Sequence, residues 1–315
     1  MRSRGFALAG GGGWHSHLGM LDLDPNREGI VPVPAATVII GRPATAGARG
    51  VEVFCVKRHH KSGFLGGAVV FPGGKVDRGD LNPDWRTSHT PLSERAQLLG
   101  ETALGFAVAA LRETLEEAAI LPLVGDPLTA RAALELRTEL EQRGKDSATP
   151  AGDIFRMLIE ERSWVLDTAR LIPLWRWTTP KAEKRRFETP FYWLDLPRGQ
   201  VGESDQHETT QGFWSTPQKL LERWAAGEVF LAPPTSRSLE LLSELDSPAD
   251  VPSLAARHSL DPICPELVFE GQSTILALPG DPLHSLPEPI DGSEDGPTRF
   301  VLEDGRFVGK RVPRA

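Results

Sequence analysis

Short apolar runs typical of β-strands alternate along this chain with longer stretches that have helical spacing. Two β-rich runs, ATVIIG (36–41) and VEVFCVKR (51–58), flank a stretch of glycine, alanine and proline that predicts a turn. A third run, AVVF (68–71), leads into Pro-Gly-Gly at 72–74, and the later runs LIPLWRWTTP and FETPFYWLDLP also predict strands. Strands interspersed with helices predict an α/β or α+β fold with a mixed sheet.

Helical spacing marks four regions of the chain. Residues 101–119 carry apolar or small side chains on one face, and residues 126–168 predict two helices joined by a polar link. Shorter helices are predicted near 216–226 and 235–245. The polar stretch at 80–98 has no clear period, so we expect it to be irregular.

These patterns divide the chain into three parts. Residues 1–30, with four consecutive glycines at 10–13, predict a flexible leader. Residues 31–248 contain the strands and helices of the main domain. Residues 249–315 are rich in proline, glycine and aspartate but include strand-like runs, and Asp-Gly at 304–305 between two of them predicts a hairpin. We therefore expect a β-rich C-terminal appendage.

Composition narrows the class of protein. The 315 residues carry 35 basic and 43 acidic side chains, a net charge of −8 that argues against a general nucleic-acid binder. Cys55 and Cys264 are too few for a disulfide framework or a multi-cysteine zinc site, which favours a reducing compartment. No run of about 18 apolar residues predicts a membrane span. We expect a cytoplasmic protein with no membrane or nucleic-acid partner, and the oligomeric state is left open.

The most informative segment is the predicted helix AVAALRETLEEAAI (107–120). Glu113, Glu116 and Glu117 fall within one arc of it, opposite the apolar face, where they repel one another. Such a cluster is either a solvated surface or a set of ligands for a hard cation such as Mg²⁺ or Mn²⁺. The upstream segment FPGGKVDRGD (71–80) favours the second interpretation, because glycines let the backbone approach a ligand or metal closely.

Residues 71–120 resemble the Nudix box, G-x5-E-x7-R-E-U-x-E-E-x-G-U, in which U is aliphatic. Gly74 matches its first glycine, and Arg112-Glu113, Glu116-Glu117 and Ile120 match its second half. Asp80 replaces the usual glutamate, 31 residues instead of seven separate it from Arg112, Thr114 replaces an aliphatic residue, and Ala119 occupies the glycine position. The long spacer is similar to that of the acyl-coenzyme A diphosphatase subgroup.

This resemblance implies a Nudix α/β/α sandwich with an insertion at about 81–106 and a helical elaboration at about 122–168. It also implies metal-dependent hydrolysis of a pyrophosphate in a small-molecule nucleotide. Coenzyme A or acyl-CoA is the favoured substrate, and the products would be 3′,5′-ADP and 4′-phosphopantetheine. Two alternatives stay open: a pyrophosphatase acting on ADP-ribose or NADH, and a catalytically silent nucleotide sensor.

Residue roles follow from the same resemblance and from charge. Mg²⁺ or Mn²⁺ would be held by Glu113, Glu116, Glu117 and the carbonyl of Gly74 or Gly73, with Arg112 orienting Glu113. The general base is either Glu113 or Glu208, which lies six residues before Trp214 in a predicted loop. Arg58, Arg185 and Arg186 would meet the substrate phosphates, and Gly73 would also contact the substrate. Strand alternation would send Arg185 and Arg186 to opposite faces.

Overall fold

The computed structural model describes residues 21–45, 49–59, 65–145, 147–205, 209–290 and 296–312. Within them the main sheet has eight strands in the order β3-β2-β1-β6-β5-β8, with β4 on β1 and β7 on β2. The strands are β1 Val33–Pro43, β2 Val51–Arg58, β3 Val69–Val70, β4 Gly73–Lys75, β5 Ile172–Thr178, β6 Phe187–Asp195, β7 Thr209–Ser215 and β8 Pro262–Ile263. Because β1 pairs parallel with β6 but antiparallel with β2 and β4, the sheet is mixed, as the sequence predicts.

Helices cover both faces of this sheet. They are α1 Glu94–Gln97, α2 Ala103–Ala118, α3 Ala130–Gly144, α4 Ala151–Glu161, α5 Pro217–Ala225, α6 Pro233–Ser243 and α7 Val251–Ala256. Alternation along β1 separates two cores, because Val38 and Ile40 pack with α2, α3 and α4 whereas Ile39 packs with α5, α6 and α7. The expected α/β/α sandwich is confirmed. None of the helices in the described ranges is long and apolar enough to cross a membrane.

The C-terminal part forms a second sheet of four strands. Strands β9 Glu266–Glu270, β10 Ser273–Ala277, β11 Arg299–Glu303 and β12 Arg306–Lys310 lie in the order β12-β11-β10-β9. Asp304 (φ 47°) and Gly305 (φ 76°) form the predicted hairpin turn with both residues in the left-handed region. Leu276, Phe300 and Phe307 attach this sheet to the second core. However, α7 and β8 lie beyond residue 248 and still belong to the main sandwich, since β8 pairs with β5.

Three segments differ from the sequence expectations. The stretch before Trp214, predicted as a loop, ends in β7, which pairs with β2. Both glycines of Pro-Gly-Gly pair with β1, together with Lys75, so 73–75 is a strand that the sequence pattern did not predict. Residues 1–20 lie outside the described residues, but residues 21–30 of the predicted leader contact the main domain: Asp24 N donates to Ala182 O at 2.9 Å.

The predicted insertion at 81–106 is folded onto the domain. It begins with two 3₁₀ turns, at Arg78–Leu81 and Pro83–Thr87, and continues through the single-turn α1 to the start of α2. Trp85 is fully buried, its Nε1 donates to Gly79 O at 3.0 Å, and its ring packs 5.6 Å from that of Phe155 on α4. This packing keeps the insertion close to the segment that contains Asp80.

Candidate active site

The acidic helix predicted from the sequence is α2. Its apolar side packs into the first core, whereas Glu113 and Glu116 are partly buried and Glu117 is buried at the edge of a cleft. The helix ends at Ala119, which adopts the left-handed conformation (φ 51°, ψ 44°) and donates its N–H to Leu115 O at 3.0 Å. Ala119 therefore ends the helix in the geometry that usually favours glycine.

The two glycines of β4 lie directly against this helix. Gly73 N donates to Glu117 Oε2 at 3.0 Å. A Cβ atom on Gly74 would lie 2.4 Å from the Glu113 carboxyl carbon, closer than any ordinary contact. The backbone of β4 therefore approaches two of the three glutamates at a distance that only glycine permits at position 74.

Arg112 organises the acidic side chains from behind the cleft. The side chain is 4% exposed, and its Nη1 donates to Glu113 Oε1 at 2.9 Å and Glu116 Oε2 at 3.1 Å. Its Nη2 also donates to the Lys75 carbonyl at 2.9 Å, which ties α2 to β4. Arg112 does not line the cleft, so the geometry fits the expected orienting role rather than contact with substrate.

Asp80, which precedes the long spacer, pairs with Arg112, which follows it. Its carboxylate accepts hydrogen bonds from Arg112 Nε at 3.0 Å and Nη2 at 2.9 Å, a two-pronged ion pair across 32 positions. Gly79 and Gly152 hold Asp80 in place, because their backbones touch and a Cβ on Gly152 would lie 2.2 Å from Asp80 N. The 31-residue spacer therefore leaves the link between this acid and Arg112 intact.

The electrostatics of the cluster fit a divalent cation. Burial raises the pKa of Glu116, the neighbouring Glu113 and Asp80 add to the rise, and Arg112 opposes it. Burial also raises the pKa of Asp80 despite its hydrogen bonds to Arg112. Arg112 thus pairs with three carboxyl groups, Asp80, Glu113 and Glu116, and a cation that supplied further positive charge would favour their charged forms. Carboxylate and carbonyl oxygens are the donors that Mg²⁺ and Mn²⁺ prefer.

In this conformation the carboxylates of the three glutamates accept hydrogen bonds from other residues of the protein. Glu113 and Glu116 accept from Arg112, and Glu117 accepts from Gly73. Accordingly, no three His, Cys, Asp or Glu side chains form a ready-made metal site among the described residues. Binding a cation would require the carboxylates to turn from these partners, by rotation of side chains that already border the cleft.

The cleft beside β4 measures about 1430 Å³. Its walls include most of the residues singled out from the sequence: Gly73, Gly74, Glu113, Glu116, Glu117, Arg58, Arg185 and Arg186. The acidic cluster and the cationic side chains therefore share one cavity. Glu208 lies outside the described residues, so its position relative to the cleft is a prediction only.

The three predicted cationic residues differ in their surroundings. Arg58 is partly buried at the end of β2, and its Nε is buried without an acceptor among the described residues. Arg185 is exposed at the cleft wall. Arg186 is buried, and its Nε donates to Thr179 O at 3.0 Å while Nη1 donates to Ile30 O. Both arginines precede β6, so strand alternation does not separate them.

The sequence reasoning missed some of the cleft residues. Lys75 and Asp205 both line the cavity. Lys75 follows Gly74 directly, and its Nζ lies 6.0 Å from the ring centre of Phe187. Reading 73–75 as a strand next to β1 would have placed Lys75 at the site. No local pattern marks Asp205.

Comparison with known proteins shows what this chain resembles. A family model, the NUDT19 Nudix domain, matches residues 93–242, a range that contains all three glutamates and Arg112 but starts after Gly74. The acyl-coenzyme A diphosphatase NUDT19 of Gallus gallus is 28% identical over 84% of this chain and 80% of its own length. The human protein of that name is 25% identical over 79% of this chain and 80% of its own length.

A solved structure shows the same fold. The NUDIX hydrolase from Alicyclobacillus acidocaldarius aligns with a TM-score of 0.59 and 24% identity, covering 71% of this chain and 96% of that one. The alignment supports the sandwich architecture.

Proposed function

We propose that this chain is a Nudix hydrolase of the NUDT19 branch and that it hydrolyses the pyrophosphate of coenzyme A or acyl-CoA with Mg²⁺ or Mn²⁺. The expected products are 3′,5′-ADP and a 4′-phosphopantetheine. The observation that supports the reaction class most strongly is the shared cleft, in which three glutamates and a diglycine strand face cationic side chains. The activity for which the relatives are named, acyl-coenzyme A diphosphatase, supports the choice of substrate.

Each part of the acidic cluster has a distinct task in this proposal. Glu113, Glu116 and Glu117 would hold the cation, together with a carbonyl of Gly73 or Gly74. The bound cation would neutralise the pyrophosphate and make water more acidic. Arg112 keeps two of the carboxylates in place, and Asp80 in turn keeps Arg112 in place. Arg112 is thus a positioning residue.

The proton of the attacking water needs an acceptor. Glu113 is one candidate, because its carboxylate borders the cleft beside Gly74. Glu208 is the other, and it follows Asp205, a cleft residue, by three positions. A carboxylate within hydrogen-bond reach of the water would accept the proton near neutral pH. Replacing each by glutamine and measuring kcat at saturating Mg²⁺ separates the two, since loss of the base lowers kcat even when the metal site is filled.

Positive charge at the cleft would bind the remaining phosphate oxygens. Arg58 has a buried Nε that lacks an acceptor among the described residues, so a phosphate would satisfy it. Arg185, Lys75 and Lys184 add cationic groups to the same walls.

Cys55 and Cys264 are free thiols, which supports our further proposal that the protein works in a reducing cytoplasm.

A substrate panel tests the proposal. Wild-type protein with Mg²⁺ or Mn²⁺ is incubated with CoA, acetyl-CoA, ADP-ribose and NADH, and nucleotide products are separated by chromatography. We expect 3′,5′-ADP from both CoA compounds, loss of turnover in Glu117→Gln, and normal turnover in the surface control Glu135→Gln. AMP from ADP-ribose or NADH alone would identify a different pyrophosphatase, and tight nucleotide binding without hydrolysis would identify a sensor.

A further inference from the structure

One end of the cleft is apolar and open to solvent. Ile30 is 50% exposed and Val33 is 40% exposed, and both line the cavity. We call this region the apolar end and define it by Leu21, Leu23, Ile30, Val33, Phe187 and Leu276, all of which border the cleft. Exposed aliphatic side chains grouped inside a cleft, unlike single ones on a surface, indicate a surface that binds an apolar group.

The apolar end is built from segments far apart in the chain. Asp22 N donates to Glu183 Oε2 at 2.8 Å, and Leu23 forms a β-bridge with Glu183, so residues 21–30 lie along the turn before β6. Arg186 then connects this segment to the appendage, because its guanidinium donates to Ile30 O and contacts Cys264 Sγ at 3.8 Å. These partly buried contacts hold the wall in place.

The strand register gives the distance along the backbone of β1 between the apolar end and the acidic cluster. Val33 is opposite Phe187, and Ala36 is opposite Gly74. Val33 and Ala36 are three positions apart on β1, a distance of about 10 Å along the strand. The backbone of Val33 therefore lies about 10 Å along β1 from the position paired with Gly74, and both residues line the same cleft. An extended pantetheine arm attached to a pyrophosphate at the glutamates is long enough to cover this distance.

We propose, on the basis of the function proposed above, that the apolar end binds the thioester portion of acyl-CoA: the distal pantetheine arm and the first carbons of the acyl chain. Its walls are mainly branched aliphatic side chains, which suit a methylene chain, whereas a nucleobase stacks on flat aromatic or guanidinium faces. Through this contact the apolar end makes the enzyme prefer acyl-CoA over free CoA, and the preference increases with chain length.

A pair of neighbouring residues provides the test. Ile30→Ser removes an aliphatic side chain from the cleft, and Val31→Ser removes one that is 86% exposed and does not line it. kcat/KM is measured for CoA, acetyl-CoA, hexanoyl-CoA and decanoyl-CoA, with ADP-ribose as a substrate that lacks the arm. Because a few methylene contacts are worth tenfold or more, we expect Ile30→Ser to lower kcat/KM for decanoyl-CoA by about tenfold.

The other variants and substrates show whether the apolar end binds the acyl portion or the nucleotide. Ile30→Ser should change the value for CoA little, Val31→Ser should match wild type throughout, and Ile30→Leu should restore activity with decanoyl-CoA. Equal losses for CoA and decanoyl-CoA would overturn the inference, because the acyl carbons would then contribute nothing at the apolar end, and an equal loss with ADP-ribose would assign that end to the nucleotide. The proposed function would stand in both cases. If wild type hydrolysed ADP-ribose but no CoA compound, the proposed function would fail first, and the inference with it.

Discussion

Replacing Gly74 by alanine should move the Glu113 carboxylate without unfolding the protein. The added Cβ would lie 2.4 Å from the carboxyl carbon, and ordinary contact starts at about 3.4 Å, so the carboxylate must retreat by about 1 Å. It is the end of a flexible side chain, so the backbone need not shift. A displacement of about 1 Å in a catalytic constellation lowers activity about 100-fold. We therefore expect Gly74→Ala to lower kcat/KM by about 100-fold.

Gly105→Ala is the matched control for this experiment. Its added Cβ would also meet the end of a flexible side chain, Leu81 Cδ2 at 2.3 Å, but eight residues before Glu113 on α2. Its distance of 3.7 Å from the backbone oxygen of Asp80 is an ordinary contact. Release of 3′,5′-ADP from CoA is measured across a Mg²⁺ titration, and thermal unfolding reports whether each variant folds. The reasoning is refuted if folded Gly74→Ala has wild-type kcat/KM, or if Gly105→Ala loses as much activity.

Three further substitutions test how the site and the appendage are held together. Arg112→Lys cannot reproduce the two-pronged pair with buried Asp80, so urea unfolding should show a loss of about 3 kcal/mol and kcat should fall; full activity would contradict the positioning role. Gly73→Ala would place a Cβ 2.3 Å from a β1 carbonyl oxygen, and we expect it to cost about 1–3 kcal/mol of unfolding free energy in the same assay. In the appendage, burial raises the pKa of Asp281, but the hydrogen bonds and charge of Arg299, together with hydrogen bonds from Thr298 and the Leu283 N–H, outweigh this and hold the pKa below its ordinary value. This stabilisation is fully present above the unfolded pKa of about 3.9 and is lost as pH falls through the folded pKa, so Asp281→Asn should be less stable than wild type at pH 7, with the difference shrinking below about pH 4. A difference that did not vary with pH would contradict the ion-pair explanation.

Local patterns were sufficient to predict the elements whose stability is largely local. The run at 51–58 became β2 with the predicted ends, and the helix predicted at 101–119 became α2. Asp304 and Gly305 tolerate the left-handed backbone that a two-residue hairpin turn needs, so their order in the sequence was enough to predict it. The grouping of Glu113 with its neighbours on one arc likewise follows from helical geometry alone.

Contacts between distant segments could not be predicted in this way. Strand β7 begins with polar residues that lack an apolar alternation, and its pairing with β2 supplies the hydrogen bonds that make it a strand. Asp80 meets Arg112 because the intervening insertion packs through Trp85, which no local period reveals. The attachment of residues 21–30 to the cleft wall depends on Arg186, which was expected to contact phosphate.

The central claim is that the glutamates of α2 hold a divalent cation. The most direct test is isothermal titration of Mn²⁺ into wild type, the Glu116→Gln variant and the surface control Glu135→Gln. We expect wild type and the control to bind Mn²⁺ with equal affinity and the Glu116→Gln variant to bind at least about tenfold more weakly while remaining folded. Wild-type Mn²⁺ affinity in folded Glu116→Gln would contradict the claim.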